Sequence, residues 1–147
     1  MFNFSNFWLS HAPIFSILIP AFTSFLLLIL GNPGSGSLKQ DWRQPWRRSI
    51  SLGSVTLGLI TAVSYLLLAS TGQITVYQLS EWSAPFGIVL VLDRLSAFML
   101  VLTYGLALPV LWYASDNWDT RGRYFHTMFH FLLMGLSGAF LTGDLFN

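Results

Sequence analysis

Cysteine is absent from the 147 residues and charge is scarce, with Asp, Glu, Lys and Arg together making 9% of the chain. The first absence excludes disulfide frameworks, thiolate metal sites and cysteine nucleophiles, and leaves the redox compartment undetermined. The second excludes an ordinary soluble domain, in which about a quarter of residues are charged. Seven basic against six acidic side chains leave a formal charge of +1. That balance offers no basic field for nucleic acid and no acidic tail. Neither a Walker loop, a GxGxxG nor a G-x-S-x-G occurs, so those routes to nucleotide binding and serine hydrolysis have no support.

What is present is apolar: 54% of residues are hydrophobic and the mean hydropathy is +0.61. The few charges punctuate stretches long enough to cross a hydrocarbon core, which takes roughly 20 helical residues. Four such spans are expected, at 12–30, 50–68, 95–114 and 124–141. The first lacks the basic flank and small-x-small site of a signal peptide and is read as a retained helix. It carries Pro20 in its middle, whose freed carbonyl requires a partner from Ser16, Thr23 or a neighbouring helix. The fold class expected is all-α transmembrane.

Between the second and third spans, 74–79 and 86–92 are rich in β-branched and apolar residues and flank a turn-like Ser80-Glu81-Trp82-Ser83-Ala84-Pro85. The pattern predicts a short β-hairpin outside the membrane. The competing reading extends the third helix back over 86–92 and buries Asp93-Arg94 in the bilayer. Lys39, Arg43, Arg47 and Arg48 precede the second span, and Arg121 and Arg123 the fourth, whereas only Arg94 lies between the second and third. The bias makes the first and third loops cytoplasmic and puts the N-terminus and hairpin on the outer face. Trp42 and Trp46 are expected at headgroup level.

Chemistry concentrates on the fourth span. At about 100° per residue, His126, His130, Ser137 and Asp144 project within about 40° of one another. An ionisable group within a span ordinarily faces the bundle interior or an aqueous path, so this stripe is the candidate proton or cation route. The plainer reading leaves both histidines at the interface and makes Asp144 a cap. His126-Thr-Met-Phe-His130 also has H-x-x-x-H spacing, but with His11 as the one further histidine neither a di-iron centre nor a haem is expected, and no metal or cofactor is assigned. Asp93 reads as a helix cap beside Arg94. Glu81, Asp116 and Asp119 read as solvated loop charges.

Three blocks resemble a known family: His11-Ala-Pro-Ile14, the run Ala84-Pro-Phe-Gly-Ile-Val-Leu-Val-Leu-Asp-Arg-Leu-Ser96, and Phe131-Leu-Leu-Met-Gly135 through Gly143-Asp-Leu-Phe-Asn147. Together they look like the D subunit of the Mrp-type multisubunit cation/proton antiporter, a family similar to the antiporter-like subunits of respiratory complex I and membrane-bound hydrogenases. The resemblance implies a proton-conducting subunit of a bacterial inner-membrane complex, with other membrane subunits as partners and monovalent cations, sodium first, exchanged for protons. It implies no redox cofactor. The family's key glutamate follows the Gly-Asp-Leu-Phe-Asn block and its lysines lie further on, so residues 1–147 are expected to be an N-terminal segment of a larger subunit, which alone does not transport. A complex I-like subunit, a small drug/proton exporter, a membrane oxidoreductase and a non-transporting scaffold are the competing readings.

Overall fold

The stretches between charges fold as helices, and what α1 and α2 turn inward is mostly small or polar, the reverse of a soluble protein's pattern. The computed structural model describes residues 11–30, 44–72, 74–78, 89–122 and 124–143. Four helices are seen among them: α1 Ala12–Ile29, α2 Gln44–Ser70, α3 Arg94–Ala114 and α4 Phe125–Leu141. The inner face of α1 is Pro13, Ser16, Pro20, Thr23, Ser24 and Leu27, while Phe22 is 71% and Ile29 83% exposed. On α2 the inner face is Arg47, Ser51, Val55, Gly58, Ala62 and Ala69. Large apolar side chains outside and small or polar ones inside suit a lipid surround, where close packing of small residues replaces hydrophobic burial as the force between helices. Of the four, α2 and α3 are long and apolar enough to cross a membrane, whereas α1 and α4 are shorter apolar helices.

Partner contacts fix the arrangement. The start of α1 meets the hairpin through His11 and Tyr77, and the end of α2 meets the start of α3 through Arg94. The start of α2 meets the loop before α4 through Arg48 and Asp119. Successive helices therefore run antiparallel, with α1 packed chiefly on α4 and α2 chiefly on α3. Gly58 permits the second of these pairings, since a Cβ there would overlap the Tyr104 ring.

The hairpin is observed as β1 Thr75–Gln78 against β2 Val89–Leu92, antiparallel, with Thr75 opposite Leu92 and Gln78 opposite Val89. The reading that carried helix 3 back over 86–92 is thereby overturned for Val89–Leu92, which are strand. Leu90 and Leu92 point into the core, so alternation rather than helical phase describes this segment. The chain leaving α4 joins the sheet: Thr142 bridges Leu90 and the Gly143 amide donates to Val89 O at 2.9 Å. The turn at 80–85 lies outside the described residues.

Two starts differ from what apolarity suggests. α2 begins at Gln44, six residues before Ile50, because Pro45 fits a first helical turn and Arg48 finds its partner in the protein rather than in a headgroup. α3 begins at once after the strand. Asp93 Oδ1 accepts the Ser96 amide at 2.7 Å and Ser96 Oγ accepts the Asp93 amide at 2.9 Å, a reciprocal capping box. Those hydrogen bonds, the Ser96 amide's foremost, hold the Asp93 carboxyl below the usual carboxylate range.

Candidate functional site

At the end of the bundle where α2 and α4 begin, α3 gives way to a turn in which Asn117 adopts φ 78°. Asparagine tolerates this left-handed conformation better than most side chains. The turn leads into a single 3-10 turn, Trp118–Thr120, whose middle residue is Asp119. Asp119 is 3% exposed, which corrects its reading as a solvated loop charge. Its reason for being inside is a set of donors brought from elsewhere. Arg48 reaches Oδ2 through Nε at 2.7 Å and Oδ1 through Nη2 at 2.8 Å. Gln44 Nε2 donates to Oδ2 at 2.8 Å, and His126 Nε2 lies 3.1 Å from the same oxygen. Burial by itself would push this carboxyl up, but the hydrogen bonds from Arg48 and His126 and the charge of Arg48 hold it below the usual range.

The polar stripe of α4 continues from that anchor. His126, His130 and Ser137 are all buried. His130, 0% exposed, has Nε2 at 3.2 Å from Ser51 Oγ of α2. Neither His126 nor His130 has a partner at Nδ1 among the described residues. Buried Leu133 separates the histidines from Ser137. Ser137 Oγ sits 3.2 Å from the Tyr104 hydroxyl, which donates to Ser16 O at 3.1 Å. That carbonyl is the one Pro20 leaves without a helical donor, so the neighbouring helix α3 supplies what the proline removed.

The remaining candidates separate by place. Arg94 donates through Nε to Ala69 O at 3.1 Å and through Nη2 to Ser70 O at 3.0 Å, closing the carbonyl end of α2. His11 pairs with Tyr77 Oη at 3.2 Å, at the opposite end from His126. Among the described residues no three His, Asp or Glu side chains come together as a metal site. Asp144 lies outside the described residues; α4 ends at Leu141, and Thr142 is already extended. Sequence reasoning missed Asp119, Arg48, Gln44 and Ser51 as members of this site. The one signal for them was that Asp119 and Arg48 belong to loops on the same membrane side.

No protein-family model matches the sequence. The chain is 44% identical over 145 residues to the D subunit of a probable K+/H+ antiporter of Rhizobium meliloti, an alignment taking in 95% of this chain. It is 34% identical over 142 residues to the Na+/H+ antiporter D subunit of Alkalihalophilus pseudofirmus, again with 95% of this chain covered. The chain resembles the N-terminal part of an Mrp-type antiporter D subunit. A chain of the Mrp complex from a Dietzia species superimposes with a TM-score of 0.76 at 25% identity, over 94% of this chain and 24% of that one. The match to the two D subunits covers 25% and 27% of their length, so the chain spans about a quarter of the relatives it matches. The four helices and the intervening hairpin thus match the fold of part of one chain of the Mrp complex, and His126, His130 and Ser137 form the buried polar side of α4.

Proposed function

We propose that the chain forms the N-terminal helical part of a proton-conducting D subunit, within a multisubunit complex that exchanges protons for a monovalent cation. The observation carrying this reading is the 44% identity over 145 residues to a relative named as the D subunit of a K+/H+ antiporter. Sodium is the cation expected from sequence. Because the relatives are named for potassium as well as sodium, both belong to the proposal. The partners are other membrane subunits and the lipid bilayer, and the substrates are protons and Na+ or K+. The location is the bacterial cytoplasmic membrane, with the N-terminus and the hairpin on the outer face. In this reading α4 turns His126, His130 and Ser137 toward the proton path, to which the sequence adds Asp144 as a candidate, Asp93 and Arg94 serve helix termini, and residues 1–147 do not transport without the rest of the complex.

The test uses everted membrane vesicles from an antiporter-deficient bacterium that carries the complex with this chain as the start of its D subunit. Addition of Na+ or K+ is expected to collapse a respiration-driven pH gradient, read by a fluorescent amine. Vesicles holding the chain alone should show no such collapse. A complex that assembles with this chain yet responds to neither cation would sink the proposal. Asp144→Asn in the same complex is expected to slow the exchange.

A further inference from the structure

We propose that Nδ1 of His126 is a proton-accepting site, set in its basic tautomer by Asp119 acting as a positioning residue. This deepens the antiport reading, on which its part in transport rests, but the acid-base behaviour stands apart from transport.

The tautomer follows from donor counting. Asp119 is gripped by both Nε and Nη2 of Arg48 and by Gln44, the setting of an ionised carboxylate, which accepts hydrogen bonds and has none to give. The 3.1 Å contact between His126 Nε2 and Asp119 Oδ2 therefore places the imidazole proton on Nε2. A neutral imidazole has one N–H, so Nδ1 carries a lone pair. That atom is buried and has no partner among the described residues. An unpaired buried acceptor is an unfavourable state, and its lone pair is the ring's one vacant position for a proton.

The step balances simply. A hydronium ion that reaches Nδ1 gives it a proton, an N–H bond forms, an O–H bond breaks, and water leaves. The imidazolium then has Nε2–H still directed at Asp119, whose negative charge offsets the new positive one. An aspartate holding the far nitrogen of a histidine selects tautomer and steadies the cation in the same way in hydrolytic triads. The groups facing His126 are Asp119 from the 3-10 turn, Arg47 and Arg48 from α2, and His130 one turn on along α4, with Asp116 acting on Arg48. His130 Nδ1 is a second buried nitrogen on the same helix face with no partner among the described residues, about 6 Å further along the axis, and Ser51 at its Nε2 accommodates either tautomer.

A purely structural role needs only the Nε2–H donor, which glutamine also supplies. The full chain, carrying nitrogen-15 histidine and reconstituted in lipid nanodiscs, is examined by nuclear magnetic resonance from about pH 9 to about pH 4, a range bracketing ordinary histidine titration. The His126 signal is identified by its loss in His126→Gln, or through backbone connectivities should that variant not fold. Neutral His126 is expected with its proton on Nε2, and acidification is expected to protonate Nδ1 reversibly. In Asp119→Asn the preference for Nε2–H is expected to be lost. A wild-type His126 with its neutral proton on Nδ1, or with no protonation across the range, overturns the proposal. Neither result depends on cation, partner subunits or the vesicle assay, so failure here and failure of the antiport reading are told apart.

Discussion

Tyr104 has its ring against Gly58 of α2 and its hydroxyl between Ser16 O of α1 and Ser137 Oγ of α4. Tyr104→Phe keeps the ring and deprives both partners, so it should lower stability by about 1–3 kcal/mol, the usual cost of leaving buried polar groups unsatisfied; unfolding of purified protein in detergent measures it. Gly58→Val drives side-chain atoms into that ring and should cost about 1–3 kcal/mol through overpacking, with the same measurement. Asp119 gives a pH signature. Its folded carboxyl titrates below its unfolded value of about 3.9, so its contribution is complete above that value and is lost as pH falls through the folded one. Melting temperature should therefore drop on acidification below about pH 4, and less steeply in Asp119→Asn, where Asp93 still contributes. Neither Tyr104 nor Gly58 was conspicuous in the sequence, and Asp119 read there as a solvated loop charge. Helical phase finds neighbours three or four positions apart, whereas Arg48 and Asp119 are 71 positions apart and Tyr104 and Ser16 are 88.

Elements were more legible than residues, because apolar length and alternation are local properties. The hairpin followed from β-branched alternation, and the inward stripe of His126, His130 and Ser137 followed from a 3.6-residue period applied within one helix. The start of α2 was not legible: charge at Arg47 and Arg48 suggests a loop until the buried carboxylate of Asp119 is known. Asp144 marks the limit of phase arguments, since its position on the stripe assumed a helix continuing past Leu141. At the start of α3, Asp93→Ala should destabilise by about 0.5–2 kcal/mol, as loss of an N-cap does. Amide hydrogen exchange at Ser96, whose N–H loses its acceptor, should quicken relative to the middle of the helix. Equal protection in variant and wild type would contradict the cap.

For the whole molecule, the absence of cysteine makes orientation directly measurable. Thr71 and Thr120 are both exposed and lie at opposite ends of the bundle. Single replacements Thr71→Cys and Thr120→Cys should label with a membrane-impermeant maleimide from opposite sides, Thr71→Cys from outside and Thr120→Cys only in everted vesicles. Reaction of both from one side would refute the antiparallel arrangement across the bilayer, and exchange of the two sides would refute the proposed orientation. The proline in α1 has a consequence at this scale too. A helix lacking one rung of its hydrogen-bond ladder is softest there, and here the soft point is held by a phenol oxygen that also touches α4. The place where α1 is least held by its own ladder is thus tethered to α4 through a single atom, which makes the missing amide of Pro20 an anchorage between helices rather than a flaw.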